Sequence, residues 1–193
     1  MANFTAATAA RSINISSAQF PVQNAAMREM PNERAATVLW LLPAEPARAA
    51  LRALVARLAT EYKAPLFEPH LTLGSGSLNS LKDFACEPIR LRAVGLDFTA
   101  QFTRTLFVRL EFSEKLATLR HSLGIGNTGA FDPHISLLYA EVSEERKAQL
   151  ARSIALPFAS ILFDSLAVIR CPDSTNSRAD VESWEVVASQ ELL

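Results

Sequence analysis

The sequence predicts an α+β fold built from two pseudo-symmetric lobes, and three observations carry that expectation. The word Phe67-Glu68-Pro69-His70-Leu71-Thr72-Leu73 returns as Phe131-Asp132-Pro133-His134-Ile135-Ser136-Leu137, position by position, with only conservative replacements. The copies are too far apart, and too few, for a solenoid whose period is about 20–50 residues, so each belongs to one half of a duplicated unit. Around them, short apolar runs with strand character interleave with stretches of helical spacing. Finally, 193 residues with 49% hydrophobic and 20% charged side chains suffice for one domain with a substantial core, or for two lobes sharing it.

The elements follow in order. Residues 36–42, A-T-V-L-W-L-L, read as a buried strand stopped by Pro43, and 45–62 carry Leu51, Leu54, Val55 and Leu58 at helical spacing. The first histidine word is the next strand, followed by a G-S-G-S turn at 74–77 and a short helical stretch near 78–85. Strands are predicted at 88–99, where Ile89, Leu91 and Ala93 alternate with Arg90 and Arg92, and at 104–112. The two arginines are expected on the outer sheet face. A helix over 113–123 shows Leu116, Leu119 and Leu123 on one stripe, and Gly124, Gly126 and Gly129 mark a loop before the second histidine strand. A helix over 143–152 opens on Ser143 with Arg146 where a capping box would have Glu. Strands at 158–170 and 184–188 close the chain, separated by a turn-rich segment containing Pro172, Asp173, Ser174 and Asn176.

Residues 1–34 are expected to be a flexible N-terminal extension and 35–193 a single domain. The first 28 residues carry Arg11 and Arg28, no acidic side chain and no strong period. An organelle transit peptide shares that composition and is the alternative to an ordinary terminus. Nineteen basic and 20 acidic side chains leave a net charge of −1, so no global positive field points to long nucleic acid. Cys86 and Cys171 form no C-x-x-C pair, which fits a reducing compartment and a cytoplasmic location. Charges or prolines interrupt every apolar run short of the roughly 18 residues of a spanning helix, so no membrane partner is expected.

The repeated word carries the chemistry. Side chains alternate along a strand, so His70 and Thr72 share one face while Leu71 and Leu73 take the other, and His134 and Ser136 do the same. An apolar strand gains nothing from histidine that leucine would not supply, and the same register in both copies points to a paired task. In-line displacement at phosphorus needs a base for the nucleophile and an acid for the leaving oxygen on opposite sides. Two imidazoles, with an ordinary pKa of about 6.5, meet that need near neutrality. Thr72 and Ser136 are candidate donors to the non-bridging oxygens. His121, between Arg120 and Ser122 on a predicted helix, reads as a solvated side chain.

Glu68 and Asp132 stand two positions before their histidines, and an unbroken strand would put two carboxylates and two imidazoles on one surface, a possible metal set. Pro69 and Pro133 disturb that register, which favours a solvated or capping role and no metal. Tyr139 lies where the second strand should end, within reach of a phosphate or at the core edge. Trp40 and Trp184 read as core residues, with base stacking as the alternative for Trp40. The glycines around G-S-G-S and G-I-G-N-T-G match no Walker loop or dinucleotide fingerprint.

At H-L-T-L and H-I-S-L the chain resembles the 2H phosphoesterase superfamily, and its plant and yeast type cyclic phosphodiesterase branch in particular. The likeness runs from residue 38 to about 191. It is carried by V-L-W-L-L-P, F-E-P-H-L-T-L, F-D-P-H-I-S-L-L-Y-A-E-V-S-E-E-R-K and S-W-E-V-V-A. The resemblance implies a bilobal fold of antiparallel sheets flanked by helices, with the active site in the cleft between lobes. It also implies opening of a nucleoside 2′,3′-cyclic phosphate or ADP-ribose 1″,2″-cyclic phosphate by water, with no metal or cofactor, in a monomer. His70 and His134 would be catalytic, with Thr72, Ser136 and Tyr139 binding substrate. The competing expectations are an enzyme of RNA ends, as a 2′,3′-cyclic or 2′-5′ phosphodiesterase or ligase, and a non-catalytic nucleotide or RNA-binding module.

Overall fold

Two β-α-β units of the same design organise the chain. In the computed structural model, which describes residues 35–193 apart from 82–83 and 127–130, the first comprises β1 (Ala35–Pro43), α1 (Ala47–Tyr62) and β2 (Leu71–Ser75). A 3-10 turn at Leu78–Leu81 leads to β3 (Ile89–Asp97), and another at Phe102–Arg104 opens the second unit. That unit is β4 (Leu106–Leu110), α2 (Glu114–Ser122) and β5 (His134–Leu138). Then follow α3 (Glu144–Ser153), β6 (Ser160–Pro172), α4 (Arg178–Glu182) and β7 (Glu185–Glu191). The described residues belong to one compact unit, Glu33–Leu193. The expected extension and Gly129 lie outside the described residues.

Every strand pairing is antiparallel, and the order is β1-β2-β5-β4-β3-β6-β7 with an added β1–β6 ladder. Six strands therefore close a ring, and β7 extends β6. The expected pair of sheets is one hydrogen-bonded network because β6 serves both lobes. Residues 160–163 pair with β3, while 163–172 pair with β1.

At the other junction the lobes touch through a single ladder pair, Leu71 with Ile135. These residues each follow a histidine, so equivalent positions of the two copies meet at a local two-fold. The duplication extends to an irregularity. Between β1 and β2 the register moves from Leu39–Gly74 to Trp40–Thr72, and between β4 and β5 from Leu106–Leu138 to Phe107–Ser136. In both units one extra residue, Leu73 or Leu137, follows the hydroxyl, a bulge that bends the strand beside the site.

Alternation sorts the faces. Leu39, Leu41, Leu71, Leu73, Ile135 and Leu137 enter the main core with Leu51, Val55 and Leu58 of α1. Trp40 and Leu42 go to the opposite face, where they pack with Ala167 and Ile169. Ser113 and Ser143 cap α2 and α3 by accepting from the third residue onward, although neither helix has Glu at that place. The segment read as turn-rich contains α4, closed by a reciprocal capping box of Ser177 and Asp180. Its single turn is too short for hydrophobic spacing to reveal. Arg90 and Arg92 are exposed as expected, Arg92 pairing with Glu111. Among the described residues no helix is long and apolar enough to cross a membrane.

Candidate active site

The F-E-P-H and F-D-P-H words set each histidine at the start of its strand, His70 one residue before β2 and His134 as the first residue of β5. Proline restrains its own φ and pushes the preceding residue toward an extended conformation. In both copies the carbonyl two residues before the ring accepts from Nδ1, Glu68 O at 2.6 Å from His70 and Asp132 O at 2.8 Å from His134. A carbonyl oxygen can only accept, so Nδ1 carries the proton and Nε2 of the neutral ring remains a free base.

The two carboxylates are turned away from the imidazoles and held by arginines. Arg48 Nε lies 2.5 Å and Arg52 Nε 2.8 Å from the Glu68 carboxylate, both reaching from one face of α1. Asp132 accepts from Arg104 and, at 2.5 Å, from Arg109 Nη1. These cations hold the Asp132 carboxyl below its ordinary range against the opposing effect of burial. Among the described residues no three His, Cys, Asp or Glu side chains converge. The sequence left a shared metal surface open for Glu68 and Asp132; their partners in the fold are guanidinium groups.

His70, Thr72, His134, Ser136 and Tyr139 all line one cleft of about 340 Å³. The Leu71–Ile135 pairing explains this, since His70 just before β2, Thr72 within it, and His134 and Ser136 of β5 then share the face opposite the main core. The hydroxyls are not equivalent. Thr72 is exposed, whereas Ser136 is 4% exposed and donates to Thr103 O at 2.7 Å. The Tyr139 ring stacks on Phe67 at 4.1 Å, and burial pushes its phenol far above the ordinary value, the Ser136 hydroxyl acting the other way. Tyr139 therefore keeps its proton.

The two imidazoles sit in different surroundings. Trp40 stacks on His70 with centroids 3.5 Å apart and planes 8° from parallel, while Trp184 and Phe67 approach edge-on. Enclosed in this way, His70 has its pKa lowered to about 3, first by burial and further by His134, against the opposing Glu68 carbonyl. Phe107 occupies the place of Trp40 in the second unit, but it meets His134 at 5.2 Å and 65°. His134 is less enclosed and its pKa is also lowered, first by burial and then by the Arg104 and Arg109 cations, with the Asp132 carbonyl and carboxylate opposing. Trp40, read as core or a base platform, is the platform of His70 itself.

No family model matches the sequence. The chain is similar to a cyclic phosphodiesterase of Arabidopsis thaliana, 24% identical over 166 residues that span 78% of this chain and 91% of the relative. The duplicated histidine words that meet in one cleft accord with that likeness. Among solved structures, E. coli LigT complexed with 3′-AMP superposes with a TM-score of 0.48 at 16% identity, covering 82% of this chain and 98% of LigT. A second phosphoesterase gives 0.49 at 15%, covering 83% and 99%.

Val38, Thr103, Arg104, Thr175 and Trp184 also line the cleft without having been singled out as binding residues. Arg104 was read as the first residue of a strand, whereas a 3-10 turn ends on it. Thr175 was hidden in the segment before α4. Neither Arg104 nor Thr175 carries a local motif; only closure of the ring brings them into the cleft. His121 is exposed on α2, as its sequence setting suggested.

Proposed function

We propose that this chain is a 2H phosphoesterase that opens a small cyclic phosphate ester, a nucleoside 2′,3′-cyclic phosphate or ADP-ribose 1″,2″-cyclic phosphate, without a metal. The observation that carries the reading is the presence in one cleft of two imidazoles whose Nδ1 atoms are both tied to backbone carbonyls, leaving two Nε2 atoms for proton transfer. The similarity to the cyclic phosphodiesterase of Arabidopsis agrees with it.

The reaction balances with these groups alone. One neutral imidazole takes a proton at Nε2 from water as the water oxygen bonds to phosphorus. The second imidazole, protonated at Nε2, gives its proton to the departing ribose oxygen as the P–O bond breaks, and a phosphomonoester is left. Thr72 donates to a non-bridging oxygen. Ser136 does so by rotating its O–H from the Thr103 carbonyl, and the protonated Tyr139 phenol completes the donor set. Because both imidazoles are neutral in the empty cleft by the direction of their shifts, the substrate anion supplies the field that allows one of them to hold a proton.

The test is turnover of adenosine 2′,3′-cyclic phosphate, ADP-ribose 1″,2″-cyclic phosphate and an oligonucleotide ending in a cyclic phosphate, each with and without a chelator. Hydrolysis of a small substrate at an unchanged rate in EDTA is expected. A folded protein that opens none of them, or whose rate vanishes with EDTA and returns with one divalent ion, overturns the reading.

A further inference from the structure

The cleft holds a cation that takes no part in the proton transfers. Arg104 ends the Phe102–Arg104 turn and lines the cleft beside His134 and Ser136. One end of its guanidinium donates to Asp132, and its carbon lies 4.6 Å from the centroid of the Phe107 ring. Its Nε, in contrast, is buried with no hydrogen-bond partner. The neighbouring Arg109 differs, since Nη1 meets Asp132 while Nε and Nη2 both donate to Asp97. Buried donors are nearly always satisfied, and one left open on a cation inside a cleft calls for an acceptor that arrives with a ligand.

The segment that presents Arg104 is latched in place. Thr105 Oγ1 lies 2.9 Å from Phe102 O and 2.8 Å from Ala140 O, and in the empty cleft Ser136 also donates to Thr103 O at 2.7 Å. The guanidinium is thus held by stacking, by an ion pair and by a fixed turn, so little freedom is lost when it meets an anion. It also breaks the symmetry of the site. Trp40 and Phe107 are equivalent through their pairing with Thr72 and Ser136, and the residue three places before Trp40 is Thr37. The first lobe therefore has no counterpart to Arg104.

We propose that Arg104 is the anion-binding residue of this cleft, its open Nε–H edge gripping a non-bridging oxygen of the bound phosphate beside His134. This rests on the cleft being a phosphate site, as proposed above. The phosphate is then held between Thr72 of one lobe and Arg104 of the other. A single cation between two similar imidazoles decides which way the phosphate lies, and hence which ester oxygen faces each ring. Its positive charge also opposes the charge that grows on the equatorial oxygens as water adds.

The experiment titrates inorganic phosphate into the 15N-labelled full chain, following arginine Nε–H and histidine signals, with the Arg104 signal assigned by its loss in Arg104→Lys. A saturable shift of that signal together with His134 is expected. In Arg104→Gln, phosphate affinity should fall roughly 10- to 100-fold, the range of a hydrogen bond to a charged group, with Arg104→Lys intermediate. KM for adenosine 2′,3′-cyclic phosphate should rise and kcat should fall. An Arg104 Nε–H that stays still while His134 responds overturns the proposal, as does a folded Arg104→Gln protein with unaltered phosphate affinity. If Arg104→Gln does not fold, the wild-type titration decides. Phosphate binding through Arg104 in a protein that opens no cyclic phosphate supports the anion site and sinks the hydrolytic reading; full turnover by Arg104→Gln does the reverse.

Discussion

Leu71 and Ile135 oppose each other across the β2–β5 junction, each one residue beyond its histidine. Because residues on either side of an antiparallel pair cross over, His70 comes opposite Ser136 and Thr72 opposite His134, so each imidazole neighbours the other lobe's hydroxyl. Both Leu71 and Ile135 are fully buried. With one ladder pair joining the lobes there, their packing is what sets the imidazoles at a fixed separation.

Leu71→Ala should accordingly be felt twice. Cavity formation at a fully buried leucine costs about 2–5 kcal/mol, readable in urea denaturation. The variant that remains folded should also lose kcat, since small displacements of acid and base are costly. A folded Leu71→Ala enzyme with wild-type kcat would show that the junction does not position the histidines.

Replacing either His70 or His134 by Ala should lower turnover by roughly 10²- to 10⁴-fold, the usual contribution of one acid or base. The wild-type profile should be bell-shaped, its limbs belonging to the coupled pair, and each variant should lose one limb. Thr72→Ala removes only a donor, for which the upper comparison is about 2.7–4 kcal/mol, so its loss should not exceed that of either histidine variant.

Trp40→Leu tests the stacking on His70. Loss of the overlying ring admits water to the imidazole, so the His70 pKa should climb from about 3 toward its ordinary value. Proton-detected titration of the ring measures the shift. An unmoved His70 titration in a folded Trp40→Leu protein would mean that the indole is not what dries the ring.

Stability should fall as the medium becomes acidic, and His70 gives the sign. Its folded pKa is depressed to about 3 while the unfolded chain titrates near 6.5, so below about pH 6.5 the unfolded state binds a proton that the folded state refuses. Stability is then lost as pH falls from about 6.5 toward 3, at up to about 1.4 kcal/mol per pH unit from this group. His134, shifted in the same direction, adds to it. His70→Gln, compared with wild type by urea unfolding at pH 7 and pH 5, should show a smaller drop; an equal drop would place the acid sensitivity elsewhere.

The repeated F-x-P-H-x-T/S-L word determined the pair of histidines, the hydroxyls on their face and the duplicated plan, and the apolar spacing of the rest of the chain determined most of the strands and helices. All of these rest on local alternation and composition that neighbouring residues carry. The partners that complete the site are not local. Trp40 reaches His70 only because β1 pairs with β2, and Arg104 enters the cleft only because Ser136 and Ala140 hold its turn. The bulges at Leu73 and Leu137 and the arginines on Glu68 and Asp132 likewise depend on strand register and on a helix folded back over the sheet. The difference between the two histidines was decided there as well. Their sequence words are nearly interchangeable, but ring closure packs one imidazole under an indole and leaves the other beside two guanidinium groups. Burial and nearby charge, which set proton affinity, are properties of the assembled cleft and not of the word that each histidine occupies.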